Sequence, residues 1–167
     1  MRHEDRVRDL YDGCYRRLVG QLFAFCGDVG EAEEAVQEAF VRAVARPRTF
    51  ARLDNPEAWL RTVAVNFARR RFRRATRYRG ILAASRPPAP VPGLSADHVA
   101  LVTALRQLPH EQREAIALFH VADLPISEIA SLLGVPDGTV KARLSRGRAR
   151  LAPLLSDSDD PKEVDRV

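Results

Sequence analysis

LPISEIASLLGVPDGTVKARLSRGRARL, residues 124–151, decides how the chain is read, because hydrophobic period, turn chemistry and charge agree along its length. Ile126, Ile129, Ala130 and Leu133 recur at i, i+3, i+4 and i+7, the spacing of one buried helical face, and Pro125 opens that helix without costing it a backbone donor. Gly134 stands where a helix ends in a left-handed residue, Val135 and Pro136 follow, and Asp137 brings a carboxylate to the positive end of a second helix. The second helix carries Val140, Leu144, Gly147 and Leu151 on one face and Lys141, Ser145, Arg146 and Arg148 on the opposite one. Two helices across a tight turn, the second with a cationic face, predict a helix-turn-helix whose second helix enters a DNA major groove. Arginine and lysine there reach guanine O6 and N7.

The charge of the chain is distributed unevenly. Residues 1–80 hold 17 basic against 11 acidic side chains and residues 99–156 hold 7 against 5, whereas 157–167 hold 2 against 5. The basic excess gathers in two helices, a distribution that a phosphate backbone rewards and mere solubility does not. With 46% apolar residues among 167, the chain has enough to pack small cores, yet no apolar run approaches bilayer length. The opening MRHEDRVRD alternates charge and lacks the apolar centre of a secretory signal, so a cytoplasmic protein is expected. Cys14 and Cys26 fall on apolar stripes without a CxxC, and His3, His98, His110 and His120 show no ligand spacing. No metal, cofactor or disulfide is expected, and no catalytic constellation stands out.

The N-terminal half reads as three elements and a loop. Val7, Leu10, Tyr11, Cys14, Leu18, Leu22 and Phe25 form the core stripe of a helix over 4–26. Asp28, with Glu31 three residues on, predicts a capped start for a second helix reaching about Val44. Its inner face is Ala32, Val36, Ala39, Phe40 and Ala43; its outer face carries Glu33, Glu34, Gln37 and Val41. RPRTFARLDNP, 46–56, has two prolines and no period and is expected to be a loop, with Asn55 and Pro56 opening the next helix. That helix packs through Trp59, Leu60, Val63 and Phe67 and then turns basic. Seven of the eleven residues from Arg69 to Arg79 are arginine, and Asn66, Arg69, Arg70, Arg73 and Arg77 share one face. So many like charges repel unless an anion neutralises them. Phe72 and Tyr78 among them suit stacking on unpaired bases as well as packing.

Residues 80–98 carry Pro87, Pro88, Pro90 and Pro92 and read as an extended linker between two helical domains. Beyond it, Val99, Val102, Leu105 and Leu108 predict a helix over 96–108, and a support helix over 110–121 packs through Ile116, Leu118 and Phe119. The tail from 156 is acidic and poor in apolar residues, the composition of a disordered end.

Taken together the chain resembles an extracytoplasmic-function sigma factor, the small two-domain form of the bacterial RNA polymerase sigma subunit. The resemblance rests on AEEAVQEAFVRAV at 32–44, NPEAWLRTVAVNFARRRFRR at 55–74, and LRQLPHEQREAIALFHVADLPISEIASLLGVPDGTVKARLSRGRARL at 105–151. It implies an all-α fold of two small helical domains: a sigma-2-like domain over 1–80, a proline-rich linker over 81–98, a sigma-4-like helix-turn-helix domain over 99–155, and the tail 156–167. By the same resemblance, Glu34, Gln37 and Val41 bind core RNA polymerase. The 46–56 loop, Asn66, Arg69, Arg70, Arg73 and Arg77 take the unpaired −10 strand, and Lys141, Ala142, Arg143, Ser145, Arg146 and Arg148 engage the −35 duplex. The implied partners are the beta' clamp and beta flap of core polymerase, promoter DNA and an anti-sigma factor, with no membrane insertion and no enzymatic activity of its own. A stand-alone helix-turn-helix regulator is the alternative, and it leaves residues 30–79 unexplained. An RNA-binding or nucleic-acid-processing enzyme would need a carboxylate or metal-ligand cluster that the sequence does not offer.

Overall fold

A computed structural model describes residues 1–79 and 93–156, with side chains described to Arg77 in the first stretch. The expected linker falls mostly on 80–92 and the acidic tail on 157–167, outside the described residues, as does the side chain of Tyr78. The described residues are helical with no strand, and they fall into two compact units divided between Ala89 and Pro90.

In the first unit, α1 (His3–Cys26), α2 (Val29–Ala45), α3 (Pro47–Ala51) and α4 (Pro56–Arg79) pack as a bundle in which α2 lies against both α1 and α4. Helix α1 ends at Gly27, whose N–H donates to the Phe23 carbonyl at 2.8 Å, and Asp28 caps α2 by accepting the Glu31 N–H at 2.9 Å. Ala32, Ala35, Ala39 and Ala43 of α2 are wholly buried, so the neighbouring helices approach closely over side chains one carbon long. Phe23, Phe25, Leu18 and Leu22 fill the remaining volume; burying each contributes roughly 1.5–3 kcal/mol.

Two expectations need correction here. The 46–56 segment is not a plain loop, because Pro47 sits at the start of a helical turn that drives Phe50 to complete burial. His3 and Trp59 meet the Phe50 ring edge-on at 5.7 and 5.8 Å, while the Arg6 guanidinium lies over it and donates to the carbonyls of Ala51 and Leu53. The packing face of α4 is also rotated from the expected one. Leu60, Ala64, Val65 and Ala68 are buried, and Trp59, Val63 and Phe67 are only half-buried. Helix α4 nests against two helices at once, and its alanines, which carry little weight in a hydrophobic count, belong to the buried face. Asn55 starts α4 as expected, its side chain accepting the Ala58 N–H at 3.0 Å.

The second unit contains α5 (Ala96–Leu105), α6 (His110–Ile116), a π-helical turn (Ala117–Val121), α7 (Ile126–Leu133) and α8 (Asp137–Ser156). Ser95 caps α5 through the His98 N–H at 3.1 Å, so α5 begins inside the stretch read as linker. The helix expected over 96–108 stops at Leu105, and Leu108 is buried from the turn that follows. The support helix keeps its position but not its pitch. After Ile116 it widens, and the Ala122 N–H donates to the Ala117 carbonyl at 3.0 Å, five residues back. Asp123 then takes a left-handed conformation at φ 55°, and the Leu124 N–H donates to the Leu118 carbonyl.

The helix-turn-helix itself follows the sequence closely. Gly134 has φ 68°, and the N–H groups of Gly134 and Val135 both donate to Ala130, closing α7. Ile129, Ala130 and Leu133 of α7 and Val140, Leu144, Gly147 and Leu151 of α8 are buried; α7 packs on α8 and the π-helical turn, and α8 also packs on α6, where Gly147 faces Ile116.

Candidate nucleic-acid interface and docking groove

Helix α8 presents two cationic edges. Lys141, Ser145 and Arg148, at i, i+4 and i+7, line one exposed edge; Thr139, Ala142 and Arg146 line the other. The second edge borders a hollow of about 380 Å³ completed by Pro109, Gln112, Gly138 and Arg143. Arg143 is drawn inward, its side chain 16% exposed and ion-paired with Glu111 at 3.6 Å. Arg148 is also engaged: its Nε donates to His120 Nε2 at 3.1 Å and its guanidinium lies 5.2 Å from the centre of the Phe119 ring. Partial desolvation, and then the Arg148 charge, hold the His120 imidazole below its usual pKa, which favours the neutral form that accepts this bond. The contact with His120 was not foreseeable, since 28 residues separate the partners.

In the first unit, Asn66 and Arg69 are half-buried, and Arg70, Arg73 and Arg77 stand exposed along the same face of α4. Arg70 Nε donates to the Asn66 carbonyl at 3.3 Å, an attachment within the helix. Arg71, on the adjoining face, forms an ion pair with Glu34 of α2. Glu34 therefore bridges the outer face of α2 and the arginine-rich helix. The base of α4 is held by Glu57, which accepts from Arg17 Nε and a terminal nitrogen at 2.8 and 2.6 Å, while Arg61 donates to Gln21 at 2.8 Å. The Arg17 hydrogen bonds keep the Glu57 carboxyl below the ordinary carboxylate range, against the opposing effect of its burial.

The outer face of α2 carries an apolar feature that its sequence only partly announced. Gln37 and Val41 border a groove of about 610 Å³ whose other walls include Val7, Tyr11, Phe40 and Val44. Val41, Val44 and Tyr11 are 62%, 53% and 42% exposed, large apolar side chains left to water side by side. Tyr11, expected in the core, stacks on Tyr15 with ring centres 4.5 Å apart and meets Phe40 edge-on, so its ring lies at the margin of the core and opens on the groove. Gln37 reaches across to the Tyr15 hydroxyl at 3.5 Å. The place of Tyr11 on the α1 stripe gave no signal of its exposure; only the amphipathic character of its ring was compatible with it. Among the described residues no helix is long and apolar enough to cross a membrane.

Residues 10–78 match the model of Sigma-70 region 2, and residues 98–151 match Sigma-70, region 4. The chain is 32% identical to the ECF RNA polymerase sigma factor SigW of Bacillus subtilis over 165 residues, covering 89% of this chain and 83% of the relative. It is 29% identical to the ECF RNA polymerase sigma factor EcfG of Rhodopseudomonas palustris, covering 90% and 86%. Among solved structures it is similar to the sigma factor RpoE of Bartonella quintana, crystallised with the anti-sigma factor NepR, at a TM-score of 0.68 and 30% identity over 95% of this chain and 99% of that one. Two region matches in the order the helices predict, with relatives aligned over most of both chains, establish that the chain belongs to the extracytoplasmic-function sigma factors, the RNA polymerase subunits that direct promoter recognition and transcription initiation.

Proposed function

We propose that the two units divide promoter recognition between them, the first over 1–80 and the second over 99–155. The groove walled by Tyr11, Gln37, Val41 and Val44, with Glu34 beside it, takes the beta' clamp of core polymerase. Asn66, Arg69, Arg70, Arg73 and Arg77 hold the unpaired −10 strand. Lys141, Ala142, Arg143, Ser145, Arg146 and Arg148 meet the −35 duplex, with the beta flap against the second unit. The observation that carries this reading is the exposed Tyr11, Val41 and Val44 cluster on the same unit as the arginine-rich helix. A free-standing DNA-binding protein has no use for such a lip, whereas a subunit needs one to bury. In this reading the chain supplies specificity and the core supplies catalysis, in the cytoplasm where both meet DNA. The NepR complex of its relative supports a partner of the anti-sigma class.

Run-off transcription with core polymerase from a closely related bacterium and sheared genomic template tests the assignment. Discrete transcripts that depend on the added chain are expected. Specific duplex binding by the chain alone, with no binding to core and no new transcripts, would instead make it a stand-alone regulator.

A further inference from the structure

The DNA-facing role of α8 leaves one contact unexplained: an exposed arginine that is already held. Arg148 lies on the edge it shares with Lys141 and Ser145, yet its Nε donates to His120 Nε2 at 3.1 Å, and its guanidinium covers the Phe119 ring at 5.2 Å. Phe119 and His120 are consecutive residues of the π-helical turn, and their rings meet edge-on with centres 4.9 Å apart. The widened turn therefore gives α8 a platform of two adjoining rings. The bond to His120 uses only Nε, the stem donor of the guanidinium, and leaves the two terminal nitrogens for another acceptor. An arginine free in solvent loses much rotamer freedom when it binds a phosphate; one already fixed at Nε and at its face loses less.

We infer that His120, with Phe119 beside it, is a positioning residue for DNA binding, holding the Arg148 guanidinium so that its terminal nitrogens grip a backbone phosphate of the duplex that α8 enters. This rests on the reading of α8 as the duplex-reading helix. A phosphate contact is independent of sequence, so it is measurable without knowing the promoter. The measurement is the affinity of the full chain for a mixed-sequence duplex of about 30 base pairs across a series of salt concentrations.

Arg148→Ala is expected to reduce the salt slope by about 1 and to weaken binding roughly three- to tenfold. His120→Ala, at an exposed position that should leave folding intact, is expected to weaken binding roughly two- to fivefold. His120→Gln, whose side-chain carbonyl can accept from Nε, should restore most of that loss, a rescue that a merely structural effect would not give. The Nε–H resonance of Arg148 in 15N spectra of the full chain should shift in His120→Ala and return towards its wild-type position in His120→Gln. If Arg148→Ala weakens binding while His120→Ala does not, or if His120→Gln fails to rescue, the inference is overturned and the DNA role of Arg148 stands. If Arg148→Ala leaves both affinity and slope unchanged, the phosphate role of Arg148 falls, and the inference with it.

Discussion

Gly147 sits where α8 packs on α6, and replacing it with alanine tests whether that contact sets the position of the proposed recognition helix. A Cβ added there would stand 2.9 Å from Ile116 Cγ1, 3.3 Å from its Cδ1 and 3.5 Å from Gln112 Cβ. The first two lie inside the ~3.5–4.0 Å of ordinary carbon contact. Ile116 is 1% exposed, and a β-branched side chain on a helix has essentially one χ1 well, so Cγ1 cannot swing away. Overpacking of this kind costs about 1–3 kcal/mol. Alanine for glycine inside a helix returns about 1 kcal/mol, so the net loss is expected at roughly 0–2 kcal/mol.

The sign should reverse once the obstacle is gone. Ile116→Ala alone removes the clashing atoms and costs roughly 2–5 kcal/mol; in that background Gly147→Ala should be neutral or stabilising by about 1 kcal/mol. Hydrogen exchange over residues 137–156 is the suitable assay, because the single tryptophan, Trp59, lies in the other unit and would not report on this one. Equal losses from Gly147→Ala in both backgrounds would refute the argument, since the clash would then not be their cause.

Other perturbations separate the surfaces. Gln37→Ala and Val41→Asp should each weaken binding to core polymerase at least several-fold while leaving duplex affinity of the chain unchanged; wild-type affinity for core would remove the groove from the interface. Arg146→Ala should cost about 1–3 kcal/mol at one −35 base pair and relax specificity there, read from binding to a panel of single-base variants; a uniform loss on all sequences would make Arg146 a phosphate contact only. Glu57, with its folded pKa lowered by Arg17, contributes stability that is complete above the ordinary carboxylate range and is lost as pH falls through the folded value. The urea midpoint of the first unit, followed by Trp59 fluorescence, should therefore fall between pH 6 and pH 3 less steeply in Glu57→Gln than in the parent; equal slopes would contradict this. With Arg17 55% exposed, solvent screening keeps the effect small.

The local signals in the sequence were reliable where one residue's chemistry was enough. Gly134 closes α7, Asp28 caps α2, and Val140, Leu144 and Leu151 face inward, each by a rule that acts over a single turn. What the sequence concealed depends on distant partners. The turn at 47–51 exists because Phe50 finds His3, Trp59 and Arg6, residues from two other helices, and nothing in RPRTFARLDNP shows them. The exposure of Tyr11 follows from what does not cover it, a property of neither its stripe nor its spacing. The π-helical turn spans five residues, too few for a period to register, and it alters which side chains reach Arg148. The cationic faces of α4 and α8 were legible as patterned charge, and their proposed −10 and −35 roles come from the family resemblance; the restraints on Arg148, Arg143 and Glu34 were legible in neither.

The two faces proposed to bind share one construction. On α2 the exposed Gln37, Val41 and Val44 ride on a reverse side of buried alanines; on α8 the cationic edges ride on a reverse side that narrows to Gly147. Small residues bring helix axes together, and at that distance a close-packed seam cannot slide or roll without overlap. A helix fixed on its inner side fixes the direction of every side chain on its outer side, because the two are joined by one rigid backbone. Specificity in base reading depends on placement within a fraction of an ångström, whereas affinity for phosphate does not. Enlarging a small residue in the α8 seam should therefore blur promoter choice more than it weakens DNA affinity, so that Gly147→Ala lowers the ratio of specific to mixed-sequence binding even where the fold survives.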